Sequence, residues 1–254
     1  MKVILNEFKI IVISEVRYSF DFIVELIMVI IMYAVVLIGT KLLGGVNISF
    51  SCFAGETAIG FVVWMVCSEI VDQFPSHIIN YSKSGVLEQI FLSSIKGEYL
   101  IVINLMMSTL WHIVKAVVIF IVIVLFTKTP IFFDIMIIPI SILTIMSVMG
   151  IGFILIGFGL IYKIITSFNS LISYIFLGFA LSPIKEIQHS YIRNILPFVS
   201  GINDLKQIML TKTNIGSIDF LILVVNSLSY FLLGFSIMCL CIKYSKKKGI
   251  LGQY

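Results

Sequence analysis

The amino-acid sequence predicts an all-α integral membrane protein with six transmembrane helices. Three observations carry that prediction. Hydrophobic residues make up 60% of the 254-residue chain and charged residues only 12%, and the mean hydropathy is +1.15. A soluble domain of this length has too little interior to hide that much apolar surface, so lipid must solvate most of it. The apolar residues also fall in long runs, near the ~20 residues that cross ~30 Å of hydrocarbon at 1.5 Å per residue. Many runs are rich in Ile and Val, yet they are continuous rather than alternating. In lipid only helices and closed barrels satisfy their own backbone, and unbroken runs do not read as barrel strands.

Along the chain, residues 1–19 (MKVILNEFKIIVISEVRYS) are too charged to span. Their apolar residues recur at helical spacing, with Lys2, Lys9 and Arg17 available for headgroups, so they predict an amphipathic interfacial helix. Glu7, Lys9, Glu15 and Arg17 interrupt the apolar core that a cleavable signal would need. Spans follow at about 20–39, 54–74, 99–126, 135–161, 164–182 and 218–242, the fourth and fifth parted by a tight turn near Lys163. Two connections are long, 75–98 and 184–216. The second mixes short apolar pieces with Pro197, Gly201 and polar residues. It reads either as short helices that dip into the membrane and return or as a surface loop.

An even number of spans puts both termini on one side, and basic residues choose the side. With both ends inside, the cytoplasmic set is Lys2, Lys9, Arg17, Lys83, Lys96, Lys163, Lys243, Lys246, Lys247 and Lys248, which is ten residues. The outer set is Lys41, Lys128, Lys185, Arg193, Lys206 and Lys212, which is six. The expectation is a multi-pass protein of the cell membrane, a bacterial plasma membrane, with both termini cytoplasmic and segment 184–216 external.

Ionisable groups in hydrocarbon are costly, so each is a functional candidate. The third span carries Asn104, Ser108, Trp111, His112 and Lys115 along one helical face. Such a stripe is expected to face protein or a water-filled path. Lys115 comes to about the depth of Glu56, and the two are expected to pair; the alternative is that Lys115 snorkels to headgroups. Asp21, Glu25, Glu69 and Asp72 read as interfacial, within reach of Lys9, Arg17 or Lys96. Gly150, Gly152, Gly157 and Gly159 allow close helix packing, within the chain or at a seam between copies. Cys52, Cys67, Cys239 and Cys241 lie in or beside apolar spans, which argues against a disulfide framework and a zinc site. The small net charge of +4 calls for no nucleic acid.

After the second span comes Ser84-Gly85-Val86-Leu87-Glu88-Gln89-Ile90-Phe91-Leu92-Ser93-Ser94. This stretch resembles the cytoplasmic Gly-Thr-Leu-Glu-Gln-Leu-Leu-…-Ser-Pro signature of the membrane subunits of ABC-2 type ATP-binding-cassette exporters. It departs from that signature at Val86, where Thr is usual, at Ser94, where Pro is common, and in lacking an acidic residue just before Gly85. Ile195-Leu196-Pro197 leading into Gly201-Ile202-Asn203-Asp204-Leu205 is similar to the family's external re-entrant region. With the amphipathic start, six spans and basic tail, the resemblance covers nearly the whole chain as a single permease domain, 1–254. It implies a cytoplasmic coupling helix near Gly85, with Leu87, Ile90 and Phe91 on one side and Glu88 and Gln89 on another, and with Ser93 near its end. The non-family alternative is a connector helix resting at the interface. The resemblance also implies two permease copies, a homodimer or a heterodimer, in membrane lipid with two ATPase subunits.

No Gly-x-x-x-x-Gly-Lys-Ser/Thr occurs, so ATP and Mg belong on the partner ATPase. No His-Glu-x-x-His or Gly-x-Ser-x-Gly supports an intramembrane enzyme. The expected function is outward transport of a hydrophobic or amphipathic substrate, such as an antibiotic, an antimicrobial or toxin peptide, or a lipid-linked compound. The expected translocation path is lined by Asn104, Ser108, His112, Lys115 and Glu56. The alternative is an ion-gradient-driven secondary transporter using Glu56, His112 and Lys115.

Overall fold

A computed structural model describes residues 19–44, 50–92, 97–163, 166–183, 196–213 and 215–248, with Lys9, Ile13 and Arg17 as single positions ahead of them. The expected interfacial helix therefore lies almost wholly outside the described residues, as do Ser93 and residues 184–195 of the 184–216 segment. The described residues form helices α1 (Ser19–Gly44), α2 (Phe50–Lys83), α3 (Val86–Leu92), α4 (Gly97–Thr127), α5 (Ile137–Tyr162), α6 (Thr166–Leu181), α7 (Pro197–Thr211) and α8 (Ser217–Lys248), with no strand among them.

Five of these, α1, α2, α4, α5 and α8, are long and apolar enough to cross a membrane. The fifth predicted span is the shorter α6, whose 16 residues rise only about 24 Å. Two predicted ends are displaced most. The sequence reading stopped the second span at residue 74, before Pro75, but α2 runs through the proline to Lys83. Phe74, Ile78 and Ile79 are buried on both sides of Pro75, and this packing outweighs the one backbone hydrogen bond that the missing N–H removes. Likewise α8 continues past residue 242 into the lysine tail.

α5 sits at the centre. Its glycine face meets α8 backbone to backbone: Gly150 lies on the Tyr230 carbonyl and Gly234 on the Gly150 carbonyl, so that neither position has room for a Cβ. Without side chains between them the two helices gain contact along their length, as small residues permit in membranes. Gly157 faces Cys241 on α8, and Gly152 faces Phe74 on α2. Gly150, Gly152 and Gly157 thus serve packing within the chain. Phe153 carries the core across the same junction, with its ring 5.7 Å from Phe74 and 5.5 Å from Phe231. α1 is attached lightly. Of its described side chains only Tyr33 is buried, donating to the Ala54 carbonyl at 3.2 Å, while Ile27, Ile31, Val35 and Ile38 stay exposed.

The long helices alternate in direction along the chain, so that α2 and α4 pack antiparallel (Tyr81 on Asn104, Glu69 near His112) while α5 and α8 pack parallel (Gly150 on Tyr230, Gly157 on Cys241), which gives the bundle two distinct ends. One carries α3, the start of α1 and the end of α8, where Lys246 bonds Glu98 at 3.2 Å. The other carries α7 and the 128–136 connection, joined by the Phe132 N–H donating to the Met209 carbonyl at 2.9 Å. These are called the α3 end and the α7 end below.

Candidate functional site

On α4, Asn104, Ser108, His112 and Lys115 form the stripe that their spacing predicts. Its counterpart on α2 is Glu69, Gln73, His77 and Tyr81, each four residues from the next and therefore on one face. The two ladders run antiparallel and meet at both ends. Tyr81 Oη donates to Asn104 Oδ1 at 3.3 Å nearest the α3 end. At the other end of the ladder, Glu69 Oε2 lies 3.9 Å from His112 Nδ1. Between them Gln73 Nε2 donates to Glu69 at 2.8 Å, and Gln73 Oε1 lies 3.1 Å from His77 Nε2. A polar groove of about 450 Å³ opens along this face of α2, lined by Ser68, Glu69, Asp72, Gln73, Ser76, His77 and Asn80.

Lys115 caps the ladder. The residue is 6% exposed, and its ammonium is held by both Glu25 oxygens, at 2.8 and 3.0 Å. This corrects two sequence expectations. Lys115 pairs with Glu25 rather than Glu56, and it does not snorkel to headgroups. Glu25, whose side chain is 42% exposed, pairs with Lys115 and not with Lys9, Arg17 or Lys96 among the described contacts. An isolated ammonium in low dielectric is very costly, and a two-oxygen carboxylate partner is the arrangement that offsets the cost. Lys115 is also close enough to Glu69 to attract it, so α1, α2 and α4 share one electrostatic cluster. Trp111 Nε1 is buried beside this cluster with no hydrogen-bond partner among the described residues.

Glu56 belongs to a second site at the α7 end, where it attracts Lys206. The sequence reading counted Lys206 in the outer basic set, yet it is 1% exposed. Its Nζ donates to the Ala180 carbonyl at 2.6 Å and the Ser182 carbonyl at 2.9 Å, at and just beyond the end of α6. A cation suits that negative helix end. Gly60 on α2 leaves the space that the Ala180 carbonyl occupies. Burial pushes the Lys206 ammonium down to about 8 despite the opposing pull of Glu56.

α3 begins just after Gly85, whose φ of +72° suits a residue without a Cβ. Leu87 is fully buried, and Ile90 and Phe91 are half-buried against the α4 start, where Gly97 leaves no room for a Cβ beside Phe91. The Lys246 ammonium lies 3.7 Å from the Phe91 ring centre. The apolar side of α3 is thus spent on the chain itself. Glu88, Gln89 and Leu92 face outward, the last at 86% exposure.

Of the expected path residues, the structure brings Asn104, His112 and Lys115 into the ladder. It leaves Ser108 half-buried on the same helix and separates Glu56 from all of them. Sequence reasoning missed Gln73, His77 and Tyr81. Their four-residue period was present, but ending the span before Pro75 cut His77 and Tyr81 off from Glu69 and Gln73. Comparison with protein families, with curated proteins and with solved structures finds no match to this chain.

Proposed function

We propose that the chain is the membrane-spanning subunit of an ABC-type exporter. In this reading α6 is a sixth, short span, the α3 end faces the cytoplasm, and a separate ATPase docks there. A second permease copy completes the outward path for a hydrophobic or amphipathic substrate. The observation that carries the reading is α3: a seven-residue helix anchored rigidly between two long helices, with an outward face of Glu88, Gln89 and Leu92. A push on such a knob passes to α2 and α4 together, and so to the polar ladder between them. The resemblance of residues 84–94 to the exporter signature points the same way. Lysines crowd the α3 end (Lys83, Lys163, Lys243 and Lys246–Lys248), as expected of a cytoplasmic surface. Of the three residues of the ion-driven alternative, Glu56 lies at the α7 end beside Lys206, apart from His112 and Lys115 at the middle of α4, which favours the exporter reading over it.

The test is ATP hydrolysis that purifies with the tagged protein from its native membranes. Glu88→Lys and Leu92→Asp should remove the bound ATPase activity while the permease stays folded and inserted. Loss of no activity in either variant, or no associated ATPase at all, would sink the proposal.

A further inference from the structure

α4 and α5 face each other across a cleft instead of packing. A cavity of about 310 Å³ fills its α7 half, walled by Val63 of α2, Ala116 and Phe120 of α4, Ile145 of α5 and Met209 of α7, with Phe133 at its mouth. Ile113 and Ile145 continue it into a second apolar space of about 220 Å³. The cleft opens sideways: Val117 and Ile121 line it and are half exposed, and Phe133 is largely exposed. In a membrane that opening faces hydrocarbon, and the first cavity alone reaches the size range of small-ligand sites.

The cavity does not end in more hydrocarbon. Phe133 also walls a polar pocket of about 160 Å³ at the α7 end, which includes Asp134, Lys212 and Thr213. Lys212 and Asp134 make no ion pair with each other among the described contacts. The Lys212 ammonium instead stands 5.7 Å from the Phe132 ring centre, and one Asp134 oxygen accepts the Met136 N–H at 2.9 Å. Opposite charges that share a small pocket without meeting leave space for a group carrying both.

We infer that this bipartite site binds one membrane phospholipid with a zwitterionic headgroup bearing a primary ammonium. The acyl chain occupies the α4–α5 cleft, Lys212 takes the phosphate, and Asp134 takes the ammonium. A purely anionic headgroup would gain Lys212 but face Asp134, and a quaternary ammonium has no N–H to give the carboxylate. The site needs only a membrane around the chain and does not depend on the exporter reading.

Native mass spectrometry of the purified full-length protein tests this, with phosphatidylethanolamine, phosphatidylglycerol and phosphatidylcholine of identical chains offered in turn. One phosphatidylethanolamine should be retained per chain, in preference to the other two. Lys212→Ala should weaken it about tenfold, the scale of one charge-assisted hydrogen bond. Asp134→Asn should abolish the preference over phosphatidylglycerol. Ala116→Phe should fill the cleft and displace all three lipids. Both headgroup substitutions are at exposed positions and leave the fold intact, so they decide the matter even if Ala116→Phe misfolds. Equal retention of the three lipids, retention indifferent to Lys212→Ala, or a lipid-free dimer closed over the cleft would overturn the inference.

Discussion

The most consequential single contact is the Lys115–Glu25 pair, which joins residues 90 positions apart in the chain. Removing one partner leaves the other charge in a low-dielectric environment, so each single change should cost more than the pair is worth. Lys115→Met and Glu25→Gln should each lower the melting temperature, and the double variant should lose less than their sum. The expected coupling is about 1–3 kcal/mol. Glu56→Gln should add independently to Lys115→Met, because Glu56 answers to Lys206 instead. Additivity of Lys115→Met with Glu25→Gln would discard the pairing.

Lys206 gives a residue-scale prediction in pH. Its folded value, about 8, lies below the ordinary lysine value of about 10.4. Between these the unfolded chain binds more protons than the folded one, so Lys206 makes stability rise with pH through that window. Below pH 8 both states are protonated and the desolvation cost is present in full. The melting temperature of wild type relative to Lys206→Met should therefore rise from pH 8 to pH 10. A flat difference would show that the ammonium is not desolvated. Neither residue's role was legible beforehand. Hydropathy reveals that Lys115 is in a span and Lys206 is in a connection, but the partner of a charge is set by which helices pack, and nothing local encodes that.

At the scale of the element, hydropathy is local, and the long apolar helices were accordingly readable to within about six residues where no proline intervened, α8 overrunning furthest. The exception, α2, shows what a local reading omits: Phe74, Ile78 and Ile79 find neighbours that carry the helix through Pro75, and only the fold supplies those neighbours. Glycine makes a sharper case, since a span glycine reads the same whether it packs or not. Gly39 has nothing within 4 Å of where a Cβ would stand, whereas at Gly150 and Gly234 that atom would enter facing backbone. Gly39→Ala should therefore be neutral or stabilising by up to about 1 kcal/mol, through helix propensity alone. Gly150→Ala and Gly234→Ala must push α5 and α8 apart, and a loss of about 2 kcal/mol or more is expected for each. Melting curves of the purified variants separate these outcomes. Equal effects at all three positions would mean that α5 and α8 do not approach as closely as described.

For the whole molecule the question is which way the bundle faces. The two ends differ in chemistry. The α3 end has the lysine-rich surface and the exposed face of α3. The α7 end has Lys41, Lys128 and Lys212, with Lys206 sequestered and so unavailable to headgroups. Taking Lys206 out of the outer set sharpens the asymmetry on which orientation depends, because only accessible basic residues near span ends count. The exporter reading requires the α3 end to be cytoplasmic, since ATP is there. In a variant without its four native cysteines, Lys212→Cys should react with a membrane-impermeant maleimide in intact cells, and Glu88→Cys should react only after permeabilisation. Both positions are exposed, so a lack of reaction reports sidedness and not burial. The reverse pattern would put α3 on the side without nucleotide and end the exporter reading. It would leave the ladder, the glycine seam and the lipid cleft as they stand, because those follow from packing within the chain and are indifferent to which side is which.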